Sequence, residues 1–129
     1  MNVALGGTLH QKIHSVPDMM DHREDSTLDL DGQYGFSHKI SITPHGILDQ
    51  ISDDKKPWVN SVHWQGINQL GNGLTVEATS QDGLVESFSV TDSPSFALAV
   101  QWHPEWKVMK TPFYKSIFEK FGDACITQG

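Results

Sequence analysis

Between residues 74 and 90 the string LTVEATSQDGLVESFSV alternates apolar and polar positions on both sides of Gln81-Asp82-Gly83. Period-two alternation interrupted by a turn-forming Asp-Gly pair predicts a β-hairpin. The same reading predicts a strand over HKISIT (38–43), a short helix or turn over GILDQI (46–51), and a strand over WVNSVH (58–63), which follows Pro57. SFALAVQW (95–102) is apolar on both faces, as a central strand of a helix-covered sheet should be. Thr111 and Pro112 suit the cap and first turn of a helix carrying Phe113, Ile117, Phe118 and Phe121 on one face. Cys125 falls on the apolar stripe of that helix, so a small buried thiol is expected there. At the other end, NVALGG reads as the tail of a helix closed by Gly6 or Gly7. Asp18 to Gly32 is acidic and weakly periodic, which predicts a solvated surface excursion.

Length and charge narrow the function classes. A chain of 129 residues suffices for one core. Nine Lys and Arg against sixteen Asp and Glu give a formal net charge of −7, with no basic stripe, so no nucleic-acid partner is expected. The opening MNVALGGTLHQK lacks a charged leader region, and the longest apolar run elsewhere, FALAV, is too short to span a bilayer, so no membrane partner is expected either. A single cysteine excludes an internal disulfide and fits a reducing compartment such as the cytoplasm.

The densest chemistry lies in QWHPEW (101–106). In an extended segment Gln101, His103 and Glu105 project to one side and Trp102 and Trp106 to the other, and Pro104 keeps His103 out of the helical region. His103 and Glu105 are then neighbours: the carboxylate accepts a proton from one ring nitrogen and leaves the other free as a base. His10 and His14 are spaced i, i+4, but no glutamate adjoins the first histidine, so the zincin-like pattern is not met and neither metal nor cofactor is expected. His63 stands between lining a pocket and packing on its strand.

QWHPEW, NSVHWQ (60–65), SQDGLVESFSV (80–90) and NVALGGTLHQ (2–11) together resemble the class I glutamine amidotransferase family, and within it the γ-glutamyl-γ-aminobutyrate hydrolase branch. The resemblance covers nearly the whole chain. It implies an α/β, flavodoxin-like fold with a mostly parallel sheet flanked by helices, and a place in putrescine degradation. The implied chemistry is a Cys-His-Glu triad that hydrolyses a small-molecule γ-glutamyl amide through a thioester. His103 and Glu105 match the base and its orienter. Asn60, Ser61 and Val62, with His63 beside them, match the segment next to the glutamyl moiety, and Trp64 stands where relatives often carry a smaller residue or a histidine, which bears on leaving-group specificity.

The family nucleophile is a cysteine in a G-x-C-x-G elbow preceding the block that NVALGG resembles. The elbow pattern is absent from this chain: DACIT around Cys125 has no flanking glycines, and GFSHK (35–39) lacks the second one. The expectation is that residues 1–129 form the C-terminal part of a single class I glutamine amidotransferase-like domain, inactive alone. Self-association, or pairing with the N-terminal half, would cover its apolar faces. A glutaminase subunit serving a synthase and a non-catalytic remnant with a binding role are the alternatives.

Overall fold

The computed structural model describes residues 1–128. In chain order it contains β1 (Thr8–His10), α1 (Leu30–Gln33), β2 (His38–Ile42), α2 (Ile47–Ile51), β3 (Trp58–Val59), β4 (Gly66–Gln69), β5 (Leu74–Ser80), β6 (Val85–Val90), β7 (Leu98–Val100) and α3 (Pro112–Gln128). Short 3-10 turns occupy Val3–Leu5, Ile13–Ser15 and Val108–Lys110. The hairpin read around Asp82-Gly83 is β5–β6, with Gly83 at φ 86° closing the turn. It forms the middle of a five-stranded sheet of order β3-β2-β5-β6-β7, while β1 and β4 pair separately.

Every strand pair among the described residues is antiparallel. The α/β class stands, since α2 and α3 pack on the sheet, but the mostly parallel sheet expected for this stretch is replaced by antiparallel ladders. The reason lies in the connections: a tight turn joining β5 to β6 can only return the chain antiparallel, whereas a parallel neighbour needs a crossover of a dozen residues or more. β7 differs as well. It is three half-buried residues at the edge of the sheet, where a central strand was expected.

Alternation places the core. In β2, His38, Ile40 and Ile42 are buried while Lys39 and Ser41 are exposed. Ile40 and Ile42 join Leu48, Val59, Ala78, Trp102, Tyr114 and Ile117 in the main apolar cluster. A second contact lies under β4, where a side chain at Gly66 would meet Leu84 and Ile13 at 3.0 and 3.1 Å.

The long helix starts as predicted but buries a different stripe. Tyr114 and Ile117 are buried, whereas Phe118 and Phe121 are 44% and 54% exposed. Cys125 is exposed too, against the expected buried thiol. Only the first turns of α3 pack on the main cluster; farther along, Phe121 meets the Phe96 ring at 6.1 Å and stays half exposed. At the other end, NVALGG forms a single 3-10 turn closed by Gly6 at φ 90°, the left-handed geometry glycine adopts without a steric cost. Buried Asn2 fastens that turn, donating to the carbonyls of Thr8 and Gln69 and accepting from Gly71 N–H.

α2 starts on a buried carboxyl. Gly46 caps it without a side chain, and Glu77 from β5 accepts from Leu48 N–H at 3.0 Å with one oxygen and from Ser89 Oγ at 2.7 Å with the other. An added Cβ at Gly46 would stand 2.5 Å from Glu77 Oε1, so glycine is required for the carboxyl to approach. Removing the acceptor strands two buried donors at about 1–3 kcal/mol each. Glu77→Ala is therefore expected to lower unfolding free energy in urea by about 2–6 kcal/mol. Glu77→Gln, whose amide can accept from Leu48 and donate to Ser89, should cost clearly less; equal losses would contradict this capping role.

Candidate active site and its neighbouring histidine cluster

Beyond β7 the chain keeps one more ladder contact, Gln101 N–H to Glu86 C=O at 2.8 Å, and then turns. Trp102 goes inward, 2% exposed, against Phe113. His103 to Trp106 forms a turn with Trp106 N–H donating to His103 C=O at 3.3 Å. The extended geometry expected for this stretch therefore stops at Trp102. Trp106 does not share Trp102's side: it stacks on Tyr34 at 5.0 Å, and Tyr34 in turn meets His103 edge-on at 5.6 Å.

Within that turn His103 Nδ1 lies 2.7 Å from Glu105 Oε1. A carboxylate only accepts, so Nδ1 carries the proton and Nε2 presents a lone pair. Both side chains are open to solvent, at 40% and 61% exposure. Such a pair adds little to stability; what it fixes is the ring's orientation and tautomer.

The main chain of His103 is held from across the fold. Asn60 Oδ1 accepts from His103 N–H at 2.8 Å and Asn60 Nδ2 donates to His103 C=O at 3.0 Å. Asn60 N–H itself donates to the Tyr114 hydroxyl at 3.0 Å. These bonds explain why the strand expected over 58–63 stops after Val59: the next backbone donor is used by α3 rather than by a sheet partner. Burial pushes the Tyr114 phenol up to about 12, Asn60 N–H opposes the rise, and the Glu105 charge adds to it.

The other residues of the 60–63 segment turn elsewhere. Ser61 Oγ donates to His22 C=O at 2.7 Å, His63 N–H donates to the same carbonyl at 3.1 Å, and Val62 is half-buried between them. Asn60 thus belongs with His103, whereas Ser61 and His63 belong with His22. Trp64 is 49% exposed, edge-on to His14, with the Arg23 guanidinium over its ring. It borders a cleft also lined by Asp21, Glu24, Asp25 and Ser26. The Arg23 guanidinium beside Asp21 holds that carboxyl down to about 2. His10 lies on β1 and His14 in a 3-10 turn, so the two do not share a helix face.

Sequence reading missed His22, His38 and Glu86. All three are buried, and they bring one ligand atom each to within 4.8 Å of one another. His38 was legible in principle, since it alternates with Ile40 and Ile42 on the inward face. Glu86 was too, as a lone charge among the apolar positions of β6. His22 had no signal, because the acidic excursion around it reads as solvated.

With that geometry in place, comparison with known proteins assigns the class. The chain superposes on a crystal structure of a putative GMP synthase component from Thermoplasma acidophilum with a TM-score of 0.65, covering 98% of this chain and 52% of that one at 19% identity, which shows a shared α/β fold. The Peptidase C26 family model matches residues 1–105, and the chain belongs to that family. It is 44% identical over 124 residues to the γ-glutamyl-γ-aminobutyrate hydrolase PuuD of Escherichia coli K12, covering 95% of this chain and 48% of that protein. It is 36% identical over 126 residues to a putative glutamine amidotransferase-like protein, YvdE, of Lactococcus lactis, covering 98% and 50%. The chain thus spans about half the length of these relatives. No helix among the described residues is long and apolar enough to cross a membrane.

Two outcomes follow from the Asn60 bridge. Asn60→Ala strands the His103 N–H and C=O and should cost about 1–3 kcal/mol in urea unfolding while speeding amide exchange at His103; unchanged exchange there would refute the clamp. The raised phenol of Tyr114 favours the protonated folded state, so its contribution is complete below pH 10 and is lost as pH rises through about 12. Stability should fall across that window by up to about 1.4 kcal/mol per pH unit more in wild type than in Tyr114→Phe.

Proposed function

We propose that this chain carries the acid–base half of a γ-glutamyl amide hydrolase. The observation that carries the reading is the 2.7 Å contact from Glu105 to His103 Nδ1, on a backbone clamped by Asn60. Its 44% identity to a γ-glutamyl-γ-aminobutyrate hydrolase supports the substrate class. In this reading His103 Nε2 takes the proton of a cysteine thiol, and the thiolate attacks the γ-amide carbonyl. The tetrahedral intermediate collapses to a thioester as the imidazolium protonates the departing amine. His103 then deprotonates water, which cleaves the thioester, releases glutamate and returns the thiol. Glu105 orients the ring throughout and stabilises its charged form.

Cys125 is a poor source of the sulfur. It is exposed on α3, eleven residues beyond the Tyr114 that meets Asn60, or roughly 16 Å along the helix axis. We therefore place the thiol on a segment that pairs with this chain, with the β7 edge and the exposed Phe118 and Phe121 as surfaces it would cover, in a reducing compartment such as the cytoplasm. Asn60, Ser61 and Val62 would flank the glutamyl group through their backbone, with His63 beside them, and Trp64 would shape the leaving-group side.

The purified polypeptide is expected to be inactive on γ-glutamyl-p-nitroanilide and on glutamine. Adding a homologous N-terminal half in trans should restore cysteine-dependent hydrolysis. In that complex His103→Ala should cost roughly 10²–10⁴-fold in kcat, and Glu105→Gln less. Turnover by the polypeptide alone that vanishes in Cys125→Ser would overturn the placement of the nucleophile. A restored complex that accepts glutamine alone would favour a glutaminase subunit instead.

A further inference from the structure

We propose that His22, His38, His63 and Glu86 form a structural zinc site that ties the acidic 18–32 excursion to the sheet. His22 Nδ1 lies 3.4 Å from Glu86 Oε1, and the Nε2 atoms of His38 and His63 each lie 3.7 Å from the same oxygen. All four residues are buried. His38 Nε2, His63 Nε2 and both Glu86 oxygens have no hydrogen-bond partner.

The tautomers make this arrangement informative. His22 Nε2 lies 2.7 Å from Asp82 Oδ2, His38 Nδ1 lies 3.1 Å from the Lys39 carbonyl, and His63 Nδ1 lies 2.7 Å from the Gln65 carbonyl. Carbonyls and a carboxylate only accept, so each of those nitrogens carries the proton. In the neutral rings the opposite nitrogens then carry lone pairs; those of His38 and His63 have no partner, that of His22 has Ser61 Oγ at 3.4 Å, and all three face an oxygen that also offers only lone pairs. Were the rings imidazolium, charge-assisted bonds would draw them to about 2.7–2.9 Å from the carboxylate, and they stand farther off.

A divalent cation among them removes the repulsion and neutralises a buried carboxylate. Metal-bound histidines typically donate their other N–H to a carboxylate or backbone carbonyl, as all three do here. Zinc bonds of about 2.0–2.2 Å to nitrogen and oxygen put tetrahedral ligand atoms roughly 3.3–3.5 Å apart, within a few tenths of an ångström of the separations to Glu86. Imidazole and carboxylate donors suit zinc. His22, His38 and Glu86 bring ligand atoms to within 4.8 Å of one another, and His63, 3.7 Å from the shared Glu86 oxygen, would move in as the fourth ligand, the structural rather than the catalytic pattern. Ser80 Oγ and the Met20 and Leu84 N–H groups also donate to Asp82, which positions it as the acceptor behind the His22 ring.

The test uses the purified polypeptide stripped with a chelator, reloaded with Zn²⁺ and desalted. One zinc per chain by elemental analysis, a raised Tm, and visible bands of tetrahedral geometry on Co²⁺ substitution are expected. His38→Gln and Glu86→Gln should abolish stoichiometric retention, Asp82→Asn should weaken Zn²⁺ binding roughly 10–100-fold, and the exposed His45→Gln should change nothing. Zinc retained equally by His38→Gln, or no retention by wild type, would overturn the site. If a variant fails to fold by circular dichroism, the wild-type cobalt spectrum decides, and absence of the tetrahedral bands rejects the proposal.

Discussion

The carboxamide of Asn60 is the constraint on which the candidate active site depends. One side chain satisfies both the N–H and the C=O of His103, while its own backbone N–H is satisfied by Tyr114 on α3. The turn that places His103 beside Glu105 is exposed, and an exposed turn has little of its own to hold it. Its precision comes from a buried amide 43 residues earlier in the chain. Packing then backs the clamp: Trp102 is sunk into the main cluster on one side, and Tyr34 and Trp106 stack on the other.

The two buried carboxyls of the β5–β6 hairpin show how differently one small sheet treats polar groups. Glu77 has a protein donor on each oxygen and starts a helix. Glu86 has none and faces three histidine nitrogens. Buried polar groups are nearly always satisfied, so the contrast itself marks the neighbourhood of Glu86 as unlike ordinary core. Asp82 in the hairpin turn bonds to Ser80 and to His22, and His22 in turn faces Glu86. The turn, the histidine cluster and the acidic excursion therefore share one network of contacts.

The apolar exposure of this fold is equally local. α3 packs on the main cluster through Phe113, Tyr114 and Ile117, and past that point Phe118, Phe121 and Ile126 are exposed, Phe121 with only the Phe96 ring beside it among the aromatic contacts of the described residues. Isolated exposed apolar residues are ordinary, but here they follow the stripe that the helix began to bury. The pattern accords with a chain that matches about half the length of its relatives.

What the sequence determined by itself was whatever neighbouring residues decide among themselves. The β5–β6 hairpin follows from alternation about Asp82-Gly83, β2 from the His38-Ile40-Ile42 period, the turn closure at Gly6 from glycine's freedom at positive φ, and the His103–Glu105 adjacency from a spacing of two across a proline. The antiparallel ladders, the edge position of β7, the exposed Cys125 and the outward Phe118 were set by the tertiary structure. So were the Asn60 clamp and the meeting of His22, His38 and Glu86. These depend on which segments meet across the fold, and an acidic loop histidine or a strand glutamate has the same local pattern whether it faces water or three buried rings. Burial and long-range hydrogen bonding gave those residues their chemistry, because a polar group acquires a perturbed role only when its water is removed and its replacement partners come from elsewhere in the chain.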